Sequence, residues 1–206
     1  VLMGDAEDNS FIVPSFYFFE SNNVSDLPFS LMAGDDYMPD LLVGRFSMST
    51  IFELAVMLHK TIYYEKNPFI DDDDWFESAV IVAADSCGGP PNPTTPVAVS
   101  RWLAAEMEDY GYHTITEIYY PEVYPGTQLI AEAINNGAGF VSYRGWGDAN
   151  GWHFPYFHTE NIDQLTNGPQ MPVMTSIVCN TGDFANNVDP CFGEKWMRVG
   201  SPTTPK

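Results

Sequence analysis

"SAVIVAADS", residues 78–86, is the stretch on which the fold turns. Its apolar run is continuous and of strand length, the pattern of a strand buried on both faces. The Gly/Pro-rich loop after it, "CGGPPNPTTP" (87–96), is too dense in proline to be regular. Before it comes the clearest helix, "STIFELAVMLHKTIYYEKN" (49–67). Thr50 and Glu53 have capping-box spacing, Ile51, Leu54, Ala55 and Leu58 give the helical apolar period, and Pro68 closes the element.

Further out the alternation continues. "VAVSRWLAAEMEDYG" (97–111) reads as a helix stopped by Gly111, and "HTITEIYY" (113–120) as a strand of β-branched and aromatic residues. "PGTQLIAEAINNG" (125–137) is a helix from near Thr127, "AGFVSYRG" (138–145) a buried strand and "MPVMTSIVC" (171–179) another. A short helix is expected in "TENIDQLTNG" (159–168), and a last one begins in "CFGEKWMRV" (191–199). In the first quarter, residues 1–4 read as a strand tail, "FIVPSFYF" (11–18) as a short or edge strand limited by Pro14, and "PDLLVGRF" (39–46) as a buried strand. Strands alternating with helices predict an α/β fold, a mostly parallel sheet covered by helices on both faces. In such sheets ligands bind beyond the carboxyl ends of the strands.

The bulk numbers narrow the function. At 206 residues and 45% hydrophobic the chain buries a substantial core as one domain, residues 1–206. With 28 acidic against 8 basic residues the formal charge is −20, which repels phosphate backbones and disfavours nucleic acid. Solubility in a salty or extracellular medium is the plain reading of that acidity. No stretch reaches the roughly 18–20 apolar residues of a membrane span. The opening "VLMGDAEDN" and the close "GSPTTPK" are both abrupt, so the chain is expected to be a fragment truncated at both ends. Cys87, Cys179 and Cys191 form no disulfide framework. Cys179 and Cys191 are able to pair, but Cys179 stands where a nucleophile would.

Cys179 ends an apolar strand and opens into "NTGDF", a turn that aims its backbone N–H at an oxyanion. The competing reading is an inert structural cysteine. "RGWGDANGW" (144–152) is a glycine-flanked loop where Gly147 supplies a second oxyanion N–H, or else simply a tight turn.

The segments "DDYMPDLLVGRFS", "HKTIYYEKNP", "EMEDYGYHTITEIYYP", "GFVSYRGWGDANGW", "QLTNG" and "VCNTGDF…PCF" closely resemble, in order along nearly the whole chain, the gingipains and their relatives, caspase-like cysteine peptidases. The resemblance implies a caspase-like three-layer sandwich, a Cys–His dyad on two neighbouring strand ends, a peptide or protein substrate and a secreted or cell-surface setting. Position by position, Cys179 matches the nucleophile and Trp152 a tryptophan lining the substrate pocket. "RGWG" matches a glycine–His–glycine, so the base position holds Trp146, counted here with the substrate-binding residues. Indole carries a donor N–H and no basic nitrogen. No acid lies between Asp85 and Glu106, so an Arg or Lys pocket is unsupported.

His153 is the candidate replacement base, seven positions beyond Trp146 in the same loop, with His158 a little further. The competing reading is a surface histidine packed among Phe154, Tyr156 and Phe157. Asp148 is a poor base, because a carboxylate beside a thiol suppresses thiolate. His59 and His113 are read as structural. "DDDD" (71–74), "GDDY" (34–37) and "GDAEDN" (4–9) are acidic loops without calcium-loop spacing. The resemblance implies a structural calcium ion, with no residues assigned to it, and no cofactor. An active peptidase, a silent peptide-binding relative and a small-molecule α/β binder are the three readings. The last lacks a phosphate-binding glycine fingerprint.

Overall fold

The computed structural model describes residues 1–6, 11–18, 23–85 and 95–206; Cys87 and most of the proline-rich loop lie outside them. In chain order the strands are β1 (Leu2–Met3), β2 (Phe16–Phe18), β3 (Asn23–Ser25), β4 (Arg45–Phe46), β5 (Ser78–Ala84), β6 (Thr114–Tyr120), β7 (Phe140–Arg144), β8 (Gly147–Asp148), β9 (Gly151–His153), β10 (Tyr156–His158), β11 (Val173–Ile177), β12 (Gly200–Ser201) and β13 (Thr204–Pro205). The helices are α1 (Ile51–Lys66), α2 (Pro96–Tyr110), α3 (Thr127–Asn135), α4 (Thr159–Ile162) and α5 (Phe192–Arg198).

β5 is buried along its whole length and forms the centre of a four-stranded sheet of order β11-β7-β5-β6, parallel at every pairing. Its side chains divide by parity, as a period of two requires. Ala79, Ile81 and Ala83 join Val97, Ala104 and Met107 of α2 on one face. Val80 and Val82 join Ile130 and Ile134 of α3, together with Trp152, Phe157 and Phe192, on the other. Helices therefore cover both faces in three layers, as the alternation predicts.

Local signals explain the helix limits. Thr50 caps α1 by accepting from the Glu53 N–H while the Glu53 carboxylate accepts from the Thr50 N–H. The fully buried residues of α1 are Val56, Met57 and Lys60; of the expected stripe Ile51 is exposed and Leu54, Ala55 and Leu58 are half-buried. Thr95 caps α2 by accepting from Ala98 N–H, and Gly111, at φ +118°, ends it in the left-handed region open to glycine.

The first quarter corrects the expectation for residues 39–46. Only Arg45–Phe46 is strand, pairing parallel with β1, while Leu41 and Leu42 are exposed. That apolar run finds no partner strand along its length. Phe16–Phe18 forms a hairpin with β3, Pro14 lying outside it. The expected helix at 159–168 is only the four residues of α4.

The two ends of the chain meet at Arg198, whose side chain is buried. Its guanidinium reaches Asp189 at 2.7 Å, Glu194 at 2.7 Å, Asp5 at 3.5 Å and Glu53 at 3.8 Å, while Nε donates to Ser47 O at 3.0 Å. Removing a partner from such a buried set strands the remaining charges, which costs about 3–5 kcal/mol. Among the described residues no helix is long and apolar enough to cross a membrane.

Candidate active site at the carboxyl edge of the sheet

β7 and β11 are neighbours, with Ile177 paired to Arg144 at their carboxyl ends. Cys179 and Trp146 each stand two residues beyond that pair, on the loops that leave the two neighbouring strand ends. Cys179 is exposed. Asn180 follows it at φ +57°, a left-handed turn that asparagine tolerates better than most residues. The chain thus reverses directly after the thiol and leaves it at the crest. A recess of about 170 Å³ opens beside this turn, lined by Asn180, Gly182 and Asp183 and by Asn23 and Val24.

The segment after β7 is an antiparallel ribbon, β8-β9-β10, rather than the irregular loop expected from the sequence. Pairing sets Gly147 against Trp152 and Trp152 against Phe157, so these three share one face. That face is pressed onto the sheet. Trp152 and Phe157 are fully buried, and the Trp152 ring stacks on Tyr143 at 4.5 Å and 11°. The Trp152 indole N–H donates to Ser176 Oγ at 2.9 Å, and Ser176 Oγ lies 3.0 Å from Thr181 Oγ1. A Cβ on Gly147 would stand 3.2 Å from Val178 and 3.3 Å from Thr181, so the ribbon abuts the Cys179 turn where glycine leaves it room. His153 N–H donates to Trp146 O at 2.9 Å. In the alternation of an antiparallel ladder Gly147 then occupies a non-hydrogen-bonded position, its N–H turned out of the ribbon.

Alternation puts Asp148, His153, Tyr156 and His158 on the opposite, outward face. The Trp146 backbone is pinned: the Tyr143 hydroxyl donates to its carbonyl at 2.6 Å and accepts from its N–H at 3.0 Å. The indole itself is 53% exposed. His153 does not turn toward Cys179. Its Nε2 lies 3.2 Å from Asp148 Oδ2 and its Nδ1 3.2 Å from His158 Nε2. A strand that sends Trp152 inward to Ser176 necessarily sends His153 outward, so the expectation of a replacement base there is corrected. The other histidines are also engaged elsewhere: His59 stacks on Tyr63, and His113 pairs with Glu77 at 3.3 Å. Trp152 corrects a second expectation, since a side chain with no exposed surface does not line an open pocket. It supports the site from beneath.

Two pKa directions accompany this geometry. Burial pushes the His158 imidazole below its usual range against the pull of Glu160, with His153 adding to the shift and Asp148 opposing it. Asp148 is raised by burial, but hydrogen bonds from Asn150 and the charges of His153 and His158 outweigh this and leave its pKa low. Just before α5, burial and the nearby Glu194 push the Cys191 thiol up to about 12. Cys191 is buried, and both it and Cys179 are free thiols, so the pairing left open by the sequence is not formed.

An apolar groove of about 530 Å³ runs along the free edge of β11, between α1 and α5. It reaches Ser176 and Thr181 but not Cys179. Lys60 borders it, buried, with its ammonium donating to Trp196 O at 2.8 Å, and burial lowers the Lys60 pKa to about 8. For a cation, the described residues offer one group of three carboxylates, Asp5, Asp189 and Glu194. Arg198 already binds all three, so this donor set does not fit a calcium ion.

A sequence model of peptidase family C25 matches residues 1–202. The chain belongs to that family. It is 34% identical to Gingipain R2 of Porphyromonas gingivalis (strain ATCC BAA-308 / W83) over 184 residues, covering 87% of this chain and 24% of that protein. To Lys-gingipain of P. gingivalis (strain ATCC 33277) it is 32% identical, covering 87% of this chain and 10% of that one. The crystal structure of the Arg specific cysteine proteinase gingipain R (RGPB) superposes with a TM-score of 0.86 at 30% identity, covering all of this chain and 45% of that chain. The C25 chain described here therefore spans about a quarter of Gingipain R2 and under half of the gingipain R structure. Its fold is that of the gingipain R catalytic domain over this part.

Sequence reasoning missed Tyr143, Ser176 and the ribbon. The spacing of Trp152 and Phe157, apolar at opposed positions of a tight hairpin, was the available signal.

Proposed function

We propose that this C25 chain is the nucleophile-bearing core of a gingipain-like cysteine endopeptidase domain, engaging peptide or protein chains across the carboxyl edge of its sheet in a secreted or cell-surface setting. The carrying observation is Cys179, exposed at the crest of a left-handed turn beside Gly147. In this reading the Cys179 thiolate attacks the peptide carbonyl carbon. The N–H groups of Cys179 and Gly147 face the oxyanion. The departing amine takes its proton from outside the histidines of this stretch, none of which is directed to the thiol. Loss of a positioned base slows such a step by about 10²–10⁴-fold. Neither an Arg nor a Lys preference is assigned, because no acid lies between Asp85 and Glu106.

Trp146 at the base position favours a second reading, a silent relative retained for binding peptides. Treatment with a mixture of peptidyl acyloxymethyl ketones, with iodoacetamide in parallel and adducts located by mass spectrometry, separates the two. Rapid labelling of Cys179 by the peptidyl reagents, surviving His153→Ala, supports the peptidase. Reaction with iodoacetamide alone leaves the binder.

A further inference from the structure

Two histidines of the ribbon face each other through ring nitrogens on its outward side. His153 ends β9 and His158 ends β10, and the pairing of His153 with Tyr156 and of His158 with Gly151 makes them diagonal neighbours on one face. His153 Nδ1 and His158 Nε2 are 3.2 Å apart, with ring centres 5.2 Å apart and ring planes inclined by 63°. Either nitrogen is able to donate or accept there, so the contact fixes no proton between them.

The surroundings of the pair say more. On its far side His153 turns Nε2 to Asp148 Oδ2 at 3.2 Å. A carboxylate only accepts, so that nitrogen carries an N–H, and in the neutral ring Nδ1 keeps the lone pair that faces His158. Tyr156 lies against the His158 ring at 3.9 Å and donates its hydroxyl to Glu160, in the first turn of α4, at 2.8 Å. Stacking thus holds the second ring in place as the carboxylate holds the first.

These are the dimensions of a metal site. Two nitrogens bound tetrahedrally to one zinc ion at about 2.0–2.1 Å stand about 3.3–3.4 Å from each other. The 3.2 Å gap between the rings needs only a small side-chain adjustment to match. A ligating histidine ordinarily gives its other N–H to a carboxylate, the part Asp148 takes behind His153. Imidazole suits zinc, copper and nickel, whereas calcium and magnesium take oxygen ligands.

We propose that His153 Nδ1 and His158 Nε2 bind one divalent transition-metal ion of the zinc type, with Asp148 orienting His153 from behind and water filling the remaining positions. Two protein ligands make an open, exchangeable site, unlike the closed four-ligand sites that hold a fold together. The ion ties β9 to the residue just before α4, on the face of the ribbon opposite Gly147 and Trp152. It draws on neither Cys179 nor the Asp5, Asp189 and Glu194 carboxylates, so it stands whether or not the chain is a peptidase.

The test is calorimetric titration of the full chain with zinc chloride at pH 7.5, followed by zinc-edge X-ray absorption on the equimolar mixture. One ion per chain is expected, with two imidazole nitrogens at about 2.0–2.1 Å and no sulfur at about 2.3 Å. Asp148→Asn should lower the affinity about 10–100-fold, and His153→Gln and His158→Gln each by at least as much. Cys179→Ala should leave it unchanged. No binding, a sulfur ligand that disappears in Cys179→Ala, or an affinity that survives both histidine substitutions overturns the site. Should a variant not fold, NMR of the ¹⁵N-labelled parent decides. Zinc should shift the ring nitrogens of His153 and His158 and leave those of His59 and His113 in place, and the reverse pattern overturns the proposal.

Discussion

β7 and β11 lie side by side, run the same way and end in register, yet their carboxyl ends are built differently. Beyond β11 the chain makes a short turn, with an exposed thiol at its crest and a left-handed asparagine behind it. Beyond β7 a three-stranded ribbon, a buried tyrosine hydroxyl and a buried tryptophan hold the backbone of one residue in place, and that residue is Trp146. In the proposed reading that scaffold presents the base position, and the residue it presents has no basic nitrogen. Its persistence is explained by packing: Tyr143, Trp152 and Phe157 belong to the main core and would be kept for stability alone. A well-built site wall is thus weak testimony to chemistry, and the two ends must be probed separately.

The largest expected effect comes from restoring the missing half. Trp146→His should raise hydrolysis of a peptide substrate by about 10²–10⁴-fold, and Cys179→Ala in that background should abolish the gain. If no gain is measured, the two strand ends are not aligned as a dyad and the comparison breaks. Next is the support beneath. Trp152→Ala should cost about 3–5 kcal/mol in urea unfolding, whereas Trp146→Ala, at a half-exposed position, should stay within about 0.5 kcal/mol.

A smaller effect tests the far side of β11. The folded state holds Lys60 at about pKa 8 against 10.5 when free, so it binds the proton more weakly than the unfolded chain. The resulting penalty is complete below pH 8 and fades as pH rises to about 10.5. Lys60→Met should therefore stabilise the protein at pH 7 by up to about 3 kcal/mol, with the difference from the parent vanishing near pH 10.5. The smallest effect tests the tie between the ends. Ser176→Ala leaves the Trp152 indole N–H buried without its acceptor and should cost about 1–3 kcal/mol by the same unfolding assay.

Elements announced by local chemistry were legible in the sequence: the Thr50 capping box, the Gly111 stop and the unbroken apolar run of β5. The misreadings have physical reasons. Leu41 and Leu42 belong to an apolar run, but strand formation needs a partner, and none pairs along that run. The ribbon was missed because strands of two or three residues are too short for a period of two to show. Its oversight misplaced both candidate residues. Once Gly151–His153 is seen as strand, Trp152 turns in to Ser176 and His153 out to Asp148. The place of Cys179, exposed in the turn beyond β11, was legible because it depends on the strand and the turn, both local.

Arg198 also has a bearing on how the chain is made. Asp5 and Arg198 are joined across 193 positions. At a ribosomal pace of about 5–20 residues per second, the first carboxylate of the clasp waits roughly 10–40 s for its counter-charge to be synthesised. During that interval Asp5 is held only by its nearer partners, through β1–β4 pairing and Ser49, and the Asp5–Arg198 contact is among the last to form.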